Sequence, residues 1–206
     1  HYGSEALRQK FLPRLCAGEI IGSIGMTEPG TGSDLKNIRT HAVRDGDDYV
    51  INGQKVWITN GFNCGVVLVA CKTDPAAGAK GVSLIAVEEG TPGFSRSQPM
   101  DKIGLKAQDT AELFFDNVRV PASNLLGEEG RGFVYLMQQL AQERLVIAMR
   151  STATLEHQLE QTIRYTTDRK VFGNPIIGFQ NSKFKLAEAK AYITMLRAYV
   201  DQLAAE

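Results

Sequence analysis

The 206-residue chain carries 43% hydrophobic and 22% charged residues, ordinary globular usage that excludes wholesale disorder. Its 23 Lys+Arg balance 23 Asp+Glu, so bulk charge draws it neither to nucleic acid nor to an anionic membrane surface. Apolar runs such as 66–70 are too short to span a bilayer, and no signal-peptide pattern opens the chain. Cys16, Cys64 and Cys71 with His1, His41 and His157 lack metal-site spacing, and the three thiols read as reduced and partly buried in a cytosol-like compartment.

Helix formers over 5–15, with Leu7, Phe11 and Leu15 at helical spacing, predict a short helix stopped near Gly18. From 20 to 121 the signals become strands and turns. Asp45-Gly46 and Asn52-Gly53 predict hairpins separating 41–43, 49–51 and 56–59. Further strands are expected at 66–71, 82–87 and 113–115, which suggests a compact antiparallel β barrel or sandwich. After Pro121 the pattern turns helical: one long helix over 132–169, a break at Gly173-Asn174-Pro175, and a second helix from Phe179 onward. The expected class is a multi-domain α+β chain. Residues 1–19 form the end of an N-terminal helical domain, 20–121 a middle β domain, and 122–206 the start of an antiparallel helical bundle. Opening on His1 and stopping inside a helical pattern, the sequence reads as a piece of a longer protein.

Two segments carry chemistry. Residues 24–34 (Ile24-Gly25-Met26-Thr27-Glu28-Pro29-Gly30-Thr31-Gly32-Ser33-Asp34) combine glycines, free to adopt positive φ, with the hydroxyls of Thr27, Thr31 and Ser33. Such a loop is either a plain surface turn or a cradle for a polar, planar or phosphorylated ligand. Trp57, the single tryptophan, stands two residues before Thr59 on one strand face. It is either a core residue or a platform for a flat heterocycle that Thr59 hydrogen-bonds.

On the long helix, Leu136, Leu140, Glu143 and Ile147 share one face. A carboxylate in an apolar stripe can serve as a general base. It can equally be one half of a buried ion pair, with Arg150 as the candidate partner. Glu156, Glu160 and Glu188 look like ordinary solvated positions.

Four motifs in order are similar to the acyl-CoA dehydrogenases: residues 26–34, residues 52–61 (Asn52-Gly53-Gln54-Lys55-Val56-Trp57-Ile58-Thr59-Asn60-Gly61), Asp116-Asn117-Val118-Arg119-Val120-Pro121 and Asp168-Arg169-Lys170-Val171-Phe172-Gly173. The resemblance extends over essentially the whole chain. It implies an FAD enzyme that oxidises an acyl-CoA thioester to its trans-2-enoyl form, assembles as a homotetramer and passes electrons to an electron-transfer flavoprotein. The expected location is the bacterial cytoplasm, or the mitochondrial matrix in a eukaryote. Acyl-CoA oxidase activity, or a non-catalytic flavin-binding role, are the alternatives.

The resemblance also implies roles. Ile24, Met26, Thr27, Gly32 and Ser33 would cradle the flavin, with Thr27 on its pyrimidine side and Ser33 toward the pantetheine or the flavin edge. Trp57 and Ile58 would lie against the ring, and the Thr59 hydroxyl would reach N5. Arg169, Phe172 and Gln180 would reach the diphosphate and adenosine of a neighbouring subunit's cofactor. Val171 departs from the family's frequent Thr or Ala, which removes one hydroxyl contact. Residues 139–145 (Gln139-Leu140-Ala141-Gln142-Glu143-Arg144-Leu145) resemble the long-chain type, in which this Glu is the base, and Arg144 would contact the CoA chain.

Overall fold

Alternating apolar and polar side chains build one seven-stranded curled sheet between residues 21 and 121. The computed structural model describes all residues from His1 to Glu206, and they divide into two units, His1–Met137 and Gln138–Glu206. In the first unit the strands are β1 (Ile21–Gly25), β2 (His41–Asp45), β3 (Asp48–Thr59), β4 (Cys64–Lys72), β5 (Val82–Glu88), β6 (Phe94–Arg96) and β7 (Thr110–Pro121). They run in the order β1-β4-β2-β3-β7-β6, with β5 beside β4. Inward residues such as Tyr49, Ile51, Val67, Ile85, Leu113 and Val118 form the main core cluster. Cys64 and Cys71 are buried, Cys16 is exposed, and all three are free thiols.

Most pairings are antiparallel, as expected, but β1 pairs with β4 in parallel, Ile21 opposite Cys64 and Gly25 opposite Val69. Strand periodicity carries no information about direction, so the sequence could not show this. The Asp45-Gly46 hairpin forms between β2 and β3, with Gly46 at φ +60°. The expected Asn52-Gly53 hairpin does not. Both residues lie inside the long strand β3, where the register against β7 slips between Ile51 and Gly53. Gly53 adopts φ +143°, and a Cβ there would come within 2.5 Å of the Thr40 hydroxyl oxygen. This glycine admits a close crossing of two backbone segments instead of a turn.

Helix α1 (Glu5–Cys16) begins at Ser4, whose hydroxyl accepts the Leu7 N–H at 3.3 Å, and Gly18 follows its end with φ +72°. Its buried face, Leu7 and Phe11, joins Val66 and Ala86 of the sheet in one apolar cluster. Helix α2 (Gly132–Asp168) begins in the first unit and continues into the second. There it is followed by a two-residue hairpin and α3 (Gln180–Ala205). Buried residues of the second unit are few: Thr152 and Leu159 on α2, Ile193 and Val200 on α3, each pair seven residues apart and therefore on one face. Glu156 is partly exposed, as its spacing suggests, but it is not without a partner. Its carboxylate accepts from Arg197 of α3, including Nε at 3.0 Å, and joins the two helices.

An ion pair lies inside the first unit. Lys55 on β3 is 0% exposed and Glu28, just beyond β1, is 6% exposed, with Nζ to Oε1 at 2.8 Å. Lys55 Nζ also donates to the Met26 carbonyl at 3.1 Å. The carboxylate accepts the Arg39 N–H at 2.6 Å and the Thr40 N–H at 3.0 Å. Burial pushes the Glu28 carboxyl up, but the Lys55 ammonium and the N–H donors outweigh it, so its pKa lies below the ordinary 4.5. Burial likewise pulls Lys55 below its ordinary 10.5, against the opposing pull of Glu28.

A depressed carboxylate pKa stabilises the fold above the unfolded value, and that contribution is lost as pH falls through the folded value. A depressed lysine pKa has the same sign at alkaline pH, because the unfolded chain holds the extra proton there. Urea unfolding at stepped pH should therefore show stability falling once pH drops below about 4.5. Glu28→Gln should flatten that fall. Lys55→Met, which leaves the carboxylate buried without its cation, should cost about 3 kcal/mol near pH 7.

Candidate functional site

The Ile24–Ser33 segment is a built loop and not a plain turn. β1 and the residues that follow it run antiparallel beside the end of β3. Ser23 Oγ donates to the Thr59 carbonyl at 2.8 Å, and the Val56 N–H donates to the Thr27 carbonyl at 2.9 Å. Beyond Thr27 the chain closes on itself through reciprocal Glu28 and Thr31 backbone bonds at 2.9 and 3.1 Å. Gly30 and Gly32 are not in the left-handed region that the sequence reading allowed them, and a Cβ on either would meet open space. Conformational need therefore does not account for Gly32; its bare, exposed backbone does leave room for a close-approaching group.

Trp57 is not a core residue. It stands at φ +60° and is 65% exposed. Four residues of β3, Lys55 to Ile58, span only three of β7, Leu113 to Ala111, so a bulge sits at this point. A left-handed conformation for a bulky aromatic residue is disfavoured by sterics and persists only when its surroundings impose it. Ile58 is buried behind it, and Thr59 emerges on the exposed side. The turn that follows is pinned by Asp109, which accepts from the Phe62 N–H at 2.9 Å and the Asn63 amide at 2.8 Å.

These residues fit a flavin. The Trp57 indole is largely exposed, Ile24 and Met26 on the adjacent segment are half-buried, and the hydroxyls of Thr27, Ser33 and Thr59 have no protein partner. Thr31 differs, since its hydroxyl donates to the Asn37 carbonyl at 3.3 Å. A flat aromatic platform with uncommitted hydroxyls suits a planar heterocycle that carries carbonyl and ring-nitrogen acceptors. A recess of about 230 Å³ also opens along Glu28, Pro29, Gly30, Arg39 and His41. None of the expected cradle residues lines it.

The second unit holds the remaining candidates. Glu143 and Arg144 are both exposed on α2. No ion pair joins Glu143 to Arg150, which is also exposed, so the buried-pair alternative does not occur. The apolar stripe is also incomplete within this unit, because Ile147 is 64% exposed. The burial that the spacing argument requires of Glu143 is not supplied there. Arg169, Phe172 and Gln180 gather at the α2–α3 connection. Arg169 lines an open groove of about 570 Å³ with Gln161, Arg164, Tyr165 and Asp168. Phe172 sits at the tip of the two-residue hairpin at φ +52° and is 91% exposed. All three side chains face outward, as contacts to a group outside the unit would.

Sequence reasoning missed the Glu28–Lys55 pair. A signal existed, because Lys55 has the same strand parity as the inward-facing Tyr49 and Ile51, and a lysine on an inward face needs a carboxylate partner.

Comparison with known proteins identifies the family of the chain. Residues 23–118 match the family description "Acyl-CoA dehydrogenase, middle domain" and residues 130–206 match "Acyl-CoA dehydrogenase, C-terminal domain". The chain is 51% identical to the mitochondrial long-chain specific acyl-CoA dehydrogenase of Sus scrofa, over 98% of this chain and 47% of that protein. It is 41% identical to the mitochondrial isovaleryl-CoA dehydrogenase of Oryza sativa subsp. japonica, over 98% of this chain and 50% of that one. A crystal structure of acyl-CoA dehydrogenase from Geobacillus kaustophilus superposes with a TM-score of 0.97 at 51% identity, covering 100% of this chain and 55% of that one. The chain thus spans about half the length of the curated relatives it matches. The chain belongs to the acyl-CoA dehydrogenase family.

Proposed function

We propose that the full-length protein is an FAD-dependent dehydrogenase that converts an acyl-CoA thioester to the trans-2-enoyl thioester. The observation that carries this reading is the Trp57 ring, exposed on a left-handed bulge beside the partner-free hydroxyls of Thr27 and Thr59. Family membership and the named activities of the relatives support it.

In this reading Thr27, Ser33 and Thr59 would hold the polar edge of the cofactor, Trp57 and Ile58 would lie against it, and Ile24 and Met26 would form its apolar floor. The backbone at Gly32 would admit the approach. When bound, FAD supplies a two-electron acceptor for the β-hydrogen of the thioester, taken as hydride. Glu143 takes the α-proton, so the two C–H bonds break with loss of one proton and one hydride, and a C=C bond forms. Arg144 holds the CoA chain. Arg169, Phe172 and Gln180 belong to the diphosphate and adenosine end of a neighbouring subunit's cofactor in a homotetramer. An electron-transfer flavoprotein is the proposed acceptor. The expected compartment is the mitochondrial matrix in a eukaryote, or the cytoplasm of a bacterium.

Two outcomes test this reading. Trp57 is the single tryptophan of these residues. In a form of the full-length protein whose other tryptophans are replaced by Phe, FAD loading should quench its emission; emission unchanged by loading removes the cradle assignment. Under anaerobic conditions palmitoyl-CoA should bleach the bound flavin, and Glu143→Gln should slow that bleaching by about 10²- to 10⁴-fold, as loss of a general base does. The yellow cofactor should be retained. A Gln variant that bleaches at the parent rate places the base elsewhere, and rapid peroxide formation in air makes the protein an oxidase.

A further inference from the structure

Lys55 ties the strand that carries Trp57 to the loop that carries Thr27, and is itself sealed from solvent. Its ammonium donates to the Met26 carbonyl at 3.1 Å and to Glu28 Oε1 at 2.8 Å. The next residue, Val56, donates its N–H to the Thr27 carbonyl at 2.9 Å. The residue after that is Trp57, in the left-handed conformation. Two consecutive residues of β3 therefore clamp two consecutive residues of the loop, and each clamp adjoins a group assigned to the cofactor. Gly25 makes room for the clamp, since a Cβ there would stand 3.2 Å from Lys55 Cγ. Glu28 fixes the other end of the loop, because its carboxylate also holds the Arg39 and Thr40 N–H groups ahead of β2.

The left-handed turn at Trp57 needs forces on both sides of it. On the far side stand buried Ile58 and the Asn60 N–H, which donates to the Asp109 carbonyl at 3.1 Å. On the near side stand Lys55 and Val56. With the β3–β7 ladder slipped between Lys55 and Ile58, the sheet does not secure this stretch, and the clamp onto Met26 and Thr27 does so instead.

We propose that Lys55, held by Glu28, is the positioning residue of the cofactor cradle and sets the Thr27 hydroxyl and the Trp57 ring in one fixed arrangement. Lys55 touches neither substrate nor cofactor and acts through its neighbours. The proposal rests on the flavin reading above. It goes beyond that reading by assigning the site's geometry to a buried charge pair.

The decisive variant is the double substitution Glu28→Gln with Lys55→Met in the full-length protein. It removes the pair without leaving a lone buried charge, so the sheet has the best prospect of folding. It also removes the only donor to the Met26 carbonyl that the pair provides. The expected result is a folded protein whose flavin midpoint potential and visible circular dichroism are shifted. The apo protein, with Trp57 as its one tryptophan, should show a displaced emission maximum. In turnover kcat should fall on the order of 10²-fold, the loss that accompanies about 1 Å of misplacement, with a much smaller change in KM.

A lower melting temperature alone is expected of any structural pair and does not count. If the double variant folds with parent potential, dichroism, Trp57 emission and kcat, the proposal is overturned. If it does not fold, Glu28→Gln alone is read in the same four measurements under the same criterion. Parent protein that binds no flavin removes the flavin reading, and the apo Trp57 emission of the variants then decides separately whether the pair sets this turn.

Discussion

The first unit depends on one electrostatic constraint: Lys55 and Glu28 must find each other inside it. An unpaired ammonium or carboxylate at that depth is far less stable than the same group in water. Only a short list of partners makes the arrangement tolerable, and all of them are backbone groups of the segments that need fixing. The carboxylate meets the Arg39 and Thr40 N–H groups, and the ammonium meets the Met26 carbonyl. Satisfying the charges therefore dictates where the loop goes. A Pro-Gly-Thr-Gly-Ser stretch has little intrinsic preference for one conformation, yet here the Glu28 that precedes it is tied to Lys55 of β3 and to the Arg39 and Thr40 N–H groups. No buried side-chain N or O is left without a partner, so neither charge of the pair is stranded and the pair acts as a joint between strand and loop.

The elements legible in the sequence were those fixed by local chemistry. α1 between Ser4 and Gly18, the Asp45-Gly46 hairpin and the boundaries of α2 and α3 follow from caps, turn residues and apolar period. What escaped was set by partners distant in the chain. Asn52-Gly53 has hairpin chemistry, but Thr40 and β7 claim both sides of that strand and hold it extended through Gly53. The parallel entry of β1 and the Glu156–Arg197 bridge are likewise tertiary facts. For the site the same division holds. The residue types of the cradle were readable, whereas its mechanism of support was not, because Glu28 sits in a loop-like string and its partner Lys55 lies 27 residues away in the chain.

The second unit presents a different balance. Its four buried side chains, and one ion-pair bridge between α2 and α3, leave much apolar surface exposed. Phe172, Phe184, Tyr192, Met195 and Tyr199 are among those side chains. This exposure explains why the helical-face argument for Glu143 is only half met. Spacing places the carboxylate in an apolar stripe, but a stripe confers low polarity only when something covers it. The proposed role of Glu143 as base therefore rests on the resemblance of residues 139–145 to the long-chain type, and not on burial within this unit.

Trp57 brings the two kinds of reasoning together. Local preference argues against a tryptophan at φ +60°, and ordinary core packing argues against leaving its ring 65% exposed. A chain that met only the demands of folding would have neither. Positions where local rules fail while everything around them is satisfied are where function is expected. Here the violation is held by Lys55 and Val56 on one side and by Ile58 and Asp109 on the other. The buried charge pair is thus the near-side support that lets the sheet present a strained aromatic ring to a ligand, and the energetic burden of holding a lysine inside a β structure becomes intelligible as the requirement for keeping that ring in place.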